Sequence, residues 1–173
     1  MNLMNIMLDS SQAPEYSIVA GGTLGMWDIA RHKIIFLPIY MVYSKQAQDK
    51  DLIKFFESRI NTVLKHINKI QDFFKGKDFD FPKEPNIERK LKNDDAFVVS
   101  RAILDDEEIA IAMREHLRAA ISLETEALRN AVSPDVRELI YGILKEDNDY
   151  YSDIIKLQKT KNWADFPPVL MQQ

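Results

Sequence analysis

Two stretches of equal length decide the fold: DLIKFFESRINTVLKHINKIQDFFK (residues 51–75) and DVRELIYGILKEDNDYYSDIIKLQK (residues 135–159). Laying residue 51 on residue 135 and continuing in step brings apolar residues into register. The pairs are Leu52 with Val136, Phe55 with Leu139, Phe56 with Ile140, Ile60 with Leu144, Ile70 with Ile154 and Phe73 with Leu157. The alignment predicts a repeated pair of antiparallel helices, the plan on which many four-helix bundles are built.

Four long segments carry apolar residues at the 3.6-residue spacing of a helix, and no strand pattern competes with them. They predict helices over residues 23–47, 49–75, 105–131 and 133–160. Gly76 is a natural stop for the second helix, and the acidic pair Asp105-Asp106 suits the start of the third. Ser133-Pro134 is a cap followed by proline at the first helical position. Pro38 lies inside the first helix and is expected to kink it or loosen one turn.

The connections between the helices predict the topology. Short links make the first two helices antiparallel neighbours, and likewise the last two, whereas residues 76–104 form a long connection. Such a link can cross the full length of the bundle, which gives the ferritin-like arrangement with one crossover. An up-down bundle with an elaborate loop is the alternative. We expect one all-α domain over residues 1–173, with an N-terminal segment (1–20), a crossover that packs on the bundle and carries a short helix near 96–103, and an extended tail (162–173) over one end of the core.

Composition excludes several classes of function. The net charge of −4 argues against a nucleic-acid surface, which needs clustered Lys and Arg. The chain has no cysteine, and its five glycines do not form a phosphate-binding loop. The longest apolar stretch, residues 34–43, is too short to span a bilayer, and the N-terminus lacks the pattern of a signal peptide. We therefore expect no nucleic-acid or membrane partner, and synthesis in the cytoplasm.

The three histidines raise the question of a metal. His32 and His66 lie equally far along the chain from a first turn near residue 49, and His116 and Tyr150 lie equally far from a second turn near residue 133. At about 1.5 Å per residue, each pair could meet about 25 Å from its hairpin. Asp147 lies on the same stripe one turn before Tyr150, as a carboxylate ligand would. The candidate metal site therefore comprises His32, His66, His116, Asp147 and Tyr150.

Two observations weigh against that site. The di-iron pattern of four-helix bundles needs a Glu-x-x-His motif on two helices, but Val63 precedes His66 and Asp147 precedes Tyr150 at that spacing. In a crossover bundle the His32/His66 layer would also lie roughly 10 Å from the layer of His116 and Tyr150. Polar core packing is therefore favoured over metal binding, and we expect no cofactor, with a metal ion as the alternative.

The remaining charged and hydroxyl groups do not form a catalytic arrangement. Five glutamates and three arginines on the third helix are spaced as partners on a solvated face: Glu107, Glu108, Glu115, Glu124, Glu126, Arg114, Arg118 and Arg129. Ser100, Ser122 and Ser133 have no convincing partner for nucleophile activation. The sequence therefore predicts a protein that is not an enzyme.

The chain resembles the spore-coat-protein-F-like group of ferritin-like proteins, in particular a subfamily from spore-forming bacilli. The likeness is carried by Leu24-Gly25-Met26-Trp27, by His66-Ile67-Asn68-Lys69-Ile70 and by the ending over residues 157–168. It implies a ferritin-like four-helix bundle and a role in the spore coat. It also places His66 at the second-helix histidine ligand of ferritin-like relatives and Tyr150 at the fourth-helix counterpart, where tyrosine replaces histidine.

The favoured function is thus a non-enzymatic structural or assembly protein of the spore coat that self-associates as a homodimer or binds other coat proteins. Residues 34–43 carry more apolar surface than one bundle core needs, which is typical of a helix packed on a partner. The alternative is a metal-binding ferritin-like protein, an oxidase or a metal store with a degenerate core site. A small-molecule carrier with an apolar pocket beside Pro38 is a third reading, without positive support.

Overall fold

The computed structural model describes residues 22–76, 80–83 and 104–163. This part of the chain contains helices and no strand. The helices are α1 (Gly22–Gln46), α2 (Lys50–Phe74), α3 (Asp106–Asn130) and α4 (Pro134–Lys161). All four predicted helices are present, and each end lies one residue from its predicted position.

Local interactions explain where the helices begin and end. The Asp49 carboxylate accepts hydrogen bonds from the backbone of Asp51 (2.9 Å) and Leu52 (3.1 Å) at the start of α2. Asp105 and Glu108 form a reciprocal capping box at the start of α3. Gly76, with φ of 77°, follows the end of α2 in the left-handed conformation that glycine adopts most easily.

The start of α4 corrects one detail of the prediction. Pro134 occupies the first helical position as predicted, but the Ser133 side chain makes no capping hydrogen bond. The fixed φ of proline therefore favours this helix start without help from the serine hydroxyl.

Contacts between helix ends confirm the crossover topology. The backbone N–H of Gln48, just after α1, donates a hydrogen bond to the carboxylate of Asp106 at the start of α3 (2.8 Å). The backbone N–H of Asp49, just before α2, donates to the same carboxylate (2.9 Å). At the end of α4, Lys161 bonds Asp49 (2.7 Å). Both α1–α3 and α2–α4 are therefore antiparallel. Because α2 and α3 begin at the same end, the connection between them joins opposite ends of the bundle, which excludes the up-down alternative and is the one-crossover arrangement of ferritin-like folds.

The core divides into two apolar clusters, one toward each end of the bundle. The cluster at the α1–α2 turn includes Leu52, Phe56, Leu117 and Ile154, with Trp163 packed against it. The cluster at the opposite end includes Met26, Ile29, Ile70, Val136 and Ile140. The apolar residues that recur at helical spacing thus face the core, and the charged residues described below lie between these two clusters.

The described part of the crossover packs on the bundle as predicted. The Trp27 indole donates a hydrogen bond to the Asp80 carbonyl (2.9 Å), and the Phe81 ring lies 6.2 Å from the Phe74 ring. α1 continues through Pro38 without interruption. The predictions for the N-terminal segment (1–20), for the short helix near 96–103 and for tail residues 164–173 lie outside the described residues. Among the helices described, none is long and apolar enough to cross a membrane.

Candidate functional site: a buried charged cluster

Each helix contributes one charged side chain to the middle of the bundle. The four residues are Lys33 from α1, Arg59 from α2, Glu124 from α3 and Asp147 from α4, and none is more than 2% exposed. We call these four residues the buried charged cluster. Charged side chains this deeply buried are rare unless they are paired, so their contacts decide what the cluster can do.

Asp147 is the centre of the cluster. Its two carboxylate oxygens accept a bidentate pair of hydrogen bonds from the Arg59 guanidinium, at 2.6 and 2.8 Å. The Lys33 ammonium donates to Asp147 at 2.9 Å and to Glu124 at 2.9 Å. Two cations and two carboxylates thus alternate across the four helices, which supplies the compensation that buried charges require.

Aromatic rings complete the surroundings of Arg59. Its guanidinium carbon lies 5.7 Å from the centroid of Tyr40 and 5.2 Å from that of Tyr150. The electron-rich faces of the rings attract a cation at these distances. The Tyr150 hydroxyl is hydrogen-bonded to the hydroxyls of Ser58 (2.7 Å) and Thr62 (2.9 Å).

Burial and pairing shift the pKa values of the two carboxylates in opposite directions. Burial raises the pKa of Asp147, but Lys33 and Arg59 outweigh it and hold that pKa well below its usual range. Burial raises the pKa of Glu124 to about 7, although the Lys33 charge opposes this shift. Glu124 has one cationic partner, and its second oxygen, Oε2, is buried without a hydrogen-bond partner. Asp147 is therefore the firmly ionised member of the cluster, and Glu124 is the member closest to taking up a proton.

His66 lies at the edge of the cluster. Its Nε2 is hydrogen-bonded to Glu146 (3.0 Å), and its Nδ1 lies 3.6 Å from Asp147, beyond hydrogen-bond distance. Burial and the Lys33 charge lower the pKa of His66 to about 4. The imidazole is therefore neutral near pH 7, and its Nε2 hydrogen donates to the Glu146 carboxylate.

His32 and His116 form a separate group on the α1–α3 side. Their rings stack at 4.6 Å, nearly parallel, and the Phe36 ring lies 3.8 Å from His116. Burial lowers the pKa of His32 to about 4 and that of His116 to about 3. The expected separation of roughly 10 Å between these two histidines is therefore wrong for their rings. Because α1 ends where α3 begins, His32 lies 14 residues from that end of the bundle and His116 lies 10, so the two residues are offset along the axis by only about 6 Å.

The five residues of the predicted metal site thus fall into two groups. Asp147 lies beside His66 and, through Arg59, near Tyr150, whereas His32 and His116 stack on each other. Within residues 22–76, 80–83 and 104–163, no group of three or more His, Cys, Asp or Glu side chains is placed to hold a metal ion. Both carboxylate oxygens of Asp147, the one carboxylate of the predicted site, are bonded instead to Lys33 and Arg59.

Sequence reasoning missed three members of the cluster. The helical spacing of charges places Glu124 on a solvated face, but Glu124 is buried, so that expectation is wrong. Lys33 and Arg59 were not singled out. The signal in the sequence is the spacing of these charges, because each one lies three or four residues after an apolar core residue and so interrupts an apolar stripe. The pairs are Lys33 after Ala30, Arg59 after Phe56 and Glu124 after Ala120. A charge at such a position requires a buried partner, and the sequence does not name it.

The fold and this cluster together define an all-α four-helix bundle with one crossover, whose core contains a compensated set of buried charges. The chain belongs to the family described as "protein of unknown function (DUF3231)", whose model matches residues 10–173. A comparison with curated proteins finds no match.

A solved structure shares the fold. The chain is similar to the crystal structure of a "putative spore coat protein" from Bacillus halodurans, with a TM-score of 0.76 and 14% sequence identity over 88% of this chain and 94% of the other. This likeness confirms the fold, and it agrees with the resemblance noted from the sequence.

Proposed function

We propose that this protein is a non-enzymatic structural protein of the spore coat type, which assembles through contacts with further copies of itself or with other coat proteins. Synthesis in the cytoplasm followed by deposition in the coat fits this role. The shared fold with the Bacillus halodurans "putative spore coat protein" supports the proposal, as does the resemblance carried by the sequence motifs.

The observation that carries the proposal is the outward face of α1. Ile35 is 50% exposed and Leu24 is 54% exposed on the side of α1 that points away from the core. Pro38 and Val42 are half-buried on the same side. A helix on the surface of a monomer normally presents polar residues there, so the apolar run of Ile35, Pro38 and Val42 on this side indicates a partner.

The buried charged cluster supports a structural role for the core. Its members are almost fully shielded from solvent, and their charges bond one another across all four helices. A catalytic group must reach a substrate, whereas a compensated internal network fixes how the helices are paired. The cluster therefore favours a rigid building block over an enzyme.

Sedimentation velocity over a wide range of protein concentration tests the proposal. We expect the mean mass to rise above the 20.1 kDa of one chain as the concentration increases. A protein that stays monomeric at the highest concentration would contradict assembly through copies of itself. Elemental analysis of protein purified without an affinity metal is the companion test: stoichiometric iron, manganese or zinc would contradict a purely structural core.

A further inference from the structure

The outward face of α1 has a regular spacing. Six residues follow one another at intervals of three, four, three, four and three along this face: Asp28, Arg31, Ile35, Pro38, Val42 and Lys45. All six are exposed or half-buried. Intervals of three and four residues are those of the contact seam between two supercoiled helices. We call these six residues the α1 seam.

The order of residue types in the α1 seam is self-complementary. The intervals read the same in both directions about a point midway between Ile35 and Pro38. When two such helices lie antiparallel about a two-fold axis at that point, Ile35 of each copy meets Pro38 of the other. Asp28 of each copy then meets Lys45 of the other. The same patch thus serves both copies, as a two-fold interface requires.

From this pattern we infer that a second copy of this chain docks on the α1 seam, with the two α1 helices antiparallel. The inference rests on the proposed function, because it names the partner and the surface for the assembly proposed above. In this register Arg31 faces Val42, and the aliphatic part of the arginine can cover it while the guanidinium stays in water. Other registers are less favourable. With the two-fold axis at Ile35 itself, Asp28 of one copy would face Val42 of the other, and the Asp28 carboxylate would lose hydration without gaining a polar partner.

The interface has an apolar centre and a charged rim. Ile35, Pro38 and Val42 form the centre, whereas Asp28 and Lys45 lie near its two ends, about 26 Å apart along the helix. Apolar burial supplies most of the attraction in such an interface, and the charged ends fix the register. One pair of helices buries little area, so we expect a weak dimer that forms at micromolar concentration or above.

Charge exchange across the seam is the sharpest test. In Asp28→Lys, both ends of the interface bring lysine against Lys45, and we expect the dimer dissociation constant to rise about tenfold or more. Adding Lys45→Asp to the same chain restores opposite charges, and we expect the dissociation constant to return to within about threefold of the unaltered protein. Asp149→Lys, at an exposed position on α4, is the matched charge control and should leave it unchanged.

Ile35→Asp tests the apolar centre. It places a carboxylate in the middle of the interface in both copies, and we expect the dissociation constant to rise more than about 30-fold. Tyr141→Asp is the matched control, because Tyr141 is 60% exposed on α4, outside the seam. Circular dichroism and thermal unfolding should show that every variant is folded, because all the altered side chains lie outside the buried core.

The outcomes separate this inference from the proposed function. Association that weakens in Ile35→Asp and in Asp28→Lys, and recovers in the double variant, supports the seam. Association that is unchanged in both single variants overturns the seam while the proposed assembly stands. A protein that is monomeric at every concentration overturns the seam together with assembly through copies of itself.

Discussion

The two helix hairpins, α1–α2 and α3–α4, follow the same plan, but equivalent core positions in them carry different side chains. The shift that lays residue 51 on residue 135 also lays α1 on α3 and α2 on α4. The first residues of both helix pairs then coincide, and so do the last residues of α1 and α3. Under this shift the buried charged cluster corresponds to a buried set without charge: Lys33 to Leu117, Arg59 to Ile143, Glu124 to Tyr40 and Asp147 to Val63. The fold therefore accepts apolar or aromatic side chains at equivalent positions.

This difference shows that the charges are not needed to form a four-helix bundle. A buried ion pair commonly contributes no more stability than well-packed apolar residues, because the loss of hydration offsets the attraction between the charges. The charges do restrict which helix faces can meet, since each cation needs its carboxylate. In this protein the restriction joins α1 to both α3 and α4 through Lys33, and α2 to α4 through Arg59.

The largest effect is expected from removing the centre of the charged cluster. Asp147→Ala leaves Arg59 without its bidentate partner, and Lys33 with Glu124 alone. We expect the free energy of unfolding to fall by about 3–5 kcal/mol, as for other broken buried ion pairs. Val63→Ala, at the counterpart position, removes only apolar contacts and should cost about 1–2 kcal/mol. Urea denaturation of both variants measures the difference, and equal losses would show that the charges are not compensating one another.

Removing the whole cluster should have the opposite effect. A variant with Lys33→Leu, Arg59→Ile, Glu124→Met and Asp147→Val leaves no unpaired charge, and we expect it to be as stable as the unaltered protein or more stable by about 1–4 kcal/mol. The same denaturation experiment measures this. If the charges select the helix pairing, the variant should also lose dispersion in its amide NMR spectrum, because alternative packings become accessible. A strong loss of stability would mean that the apolar residues at the counterpart positions are not adequate replacements for the charged residues.

The close contact of α1 with α3 is a second point at which the halves differ. Gly25 has Ile109 as its counterpart, and a methyl group on Gly25 would lie 2.6 Å from the Ala127 side chain. We expect Gly25→Ala to cost about 1–3 kcal/mol, because the helices must move apart. Gly142→Ala is the control: no atom lies within 4 Å of the added carbon, so the variant should gain about 0.5–1 kcal/mol from helix propensity. Thermal unfolding of the two variants in parallel tests whether proximity decides the sign.

The pH dependence of stability tests the buried titratable groups, and its sign differs between His116 and Glu124. Burial lowers the pKa of His116 to about 3, so the unfolded chain binds the proton more readily and stability falls as the pH drops from 6.5 toward 3. Burial raises the pKa of Glu124 to about 7, so its contribution falls as the pH rises from 4.5 through 7. His116→Phe should therefore flatten the loss of stability in acid. Glu124→Gln should flatten the decline in stability toward neutral pH. The free energy of unfolding of each variant, measured from pH 3 to pH 8, tests both assignments. If both slopes persisted unchanged in the variants, the assignments would be contradicted.

The sequence determined the helices because their signals are local. Periodic apolar residues, the Asp105 cap, Pro134 and Gly76 act within a few residues of the helix they define, so each bound could be predicted to within one residue. The length of the 76–104 link also made a crossover possible. The choice between the crossover and an up-down bundle followed only from contacts such as that of Asp106 with the α1–α2 turn.

Only the tertiary structure decided what the polar core contains. The partners in the charged cluster are separated by 88 to 114 residues along the chain, and no local pattern pairs Lys33 with Glu124 or Arg59 with Asp147. The sequence placed Asp147 on the apolar stripe of the fourth helix. Whether an inward carboxylate meets a metal, a lysine or an arginine depends on which side chains the other three helices bring to the same level. That choice is made by packing, because the cost of an unpaired buried charge selects the arrangement in which every helix supplies a partner.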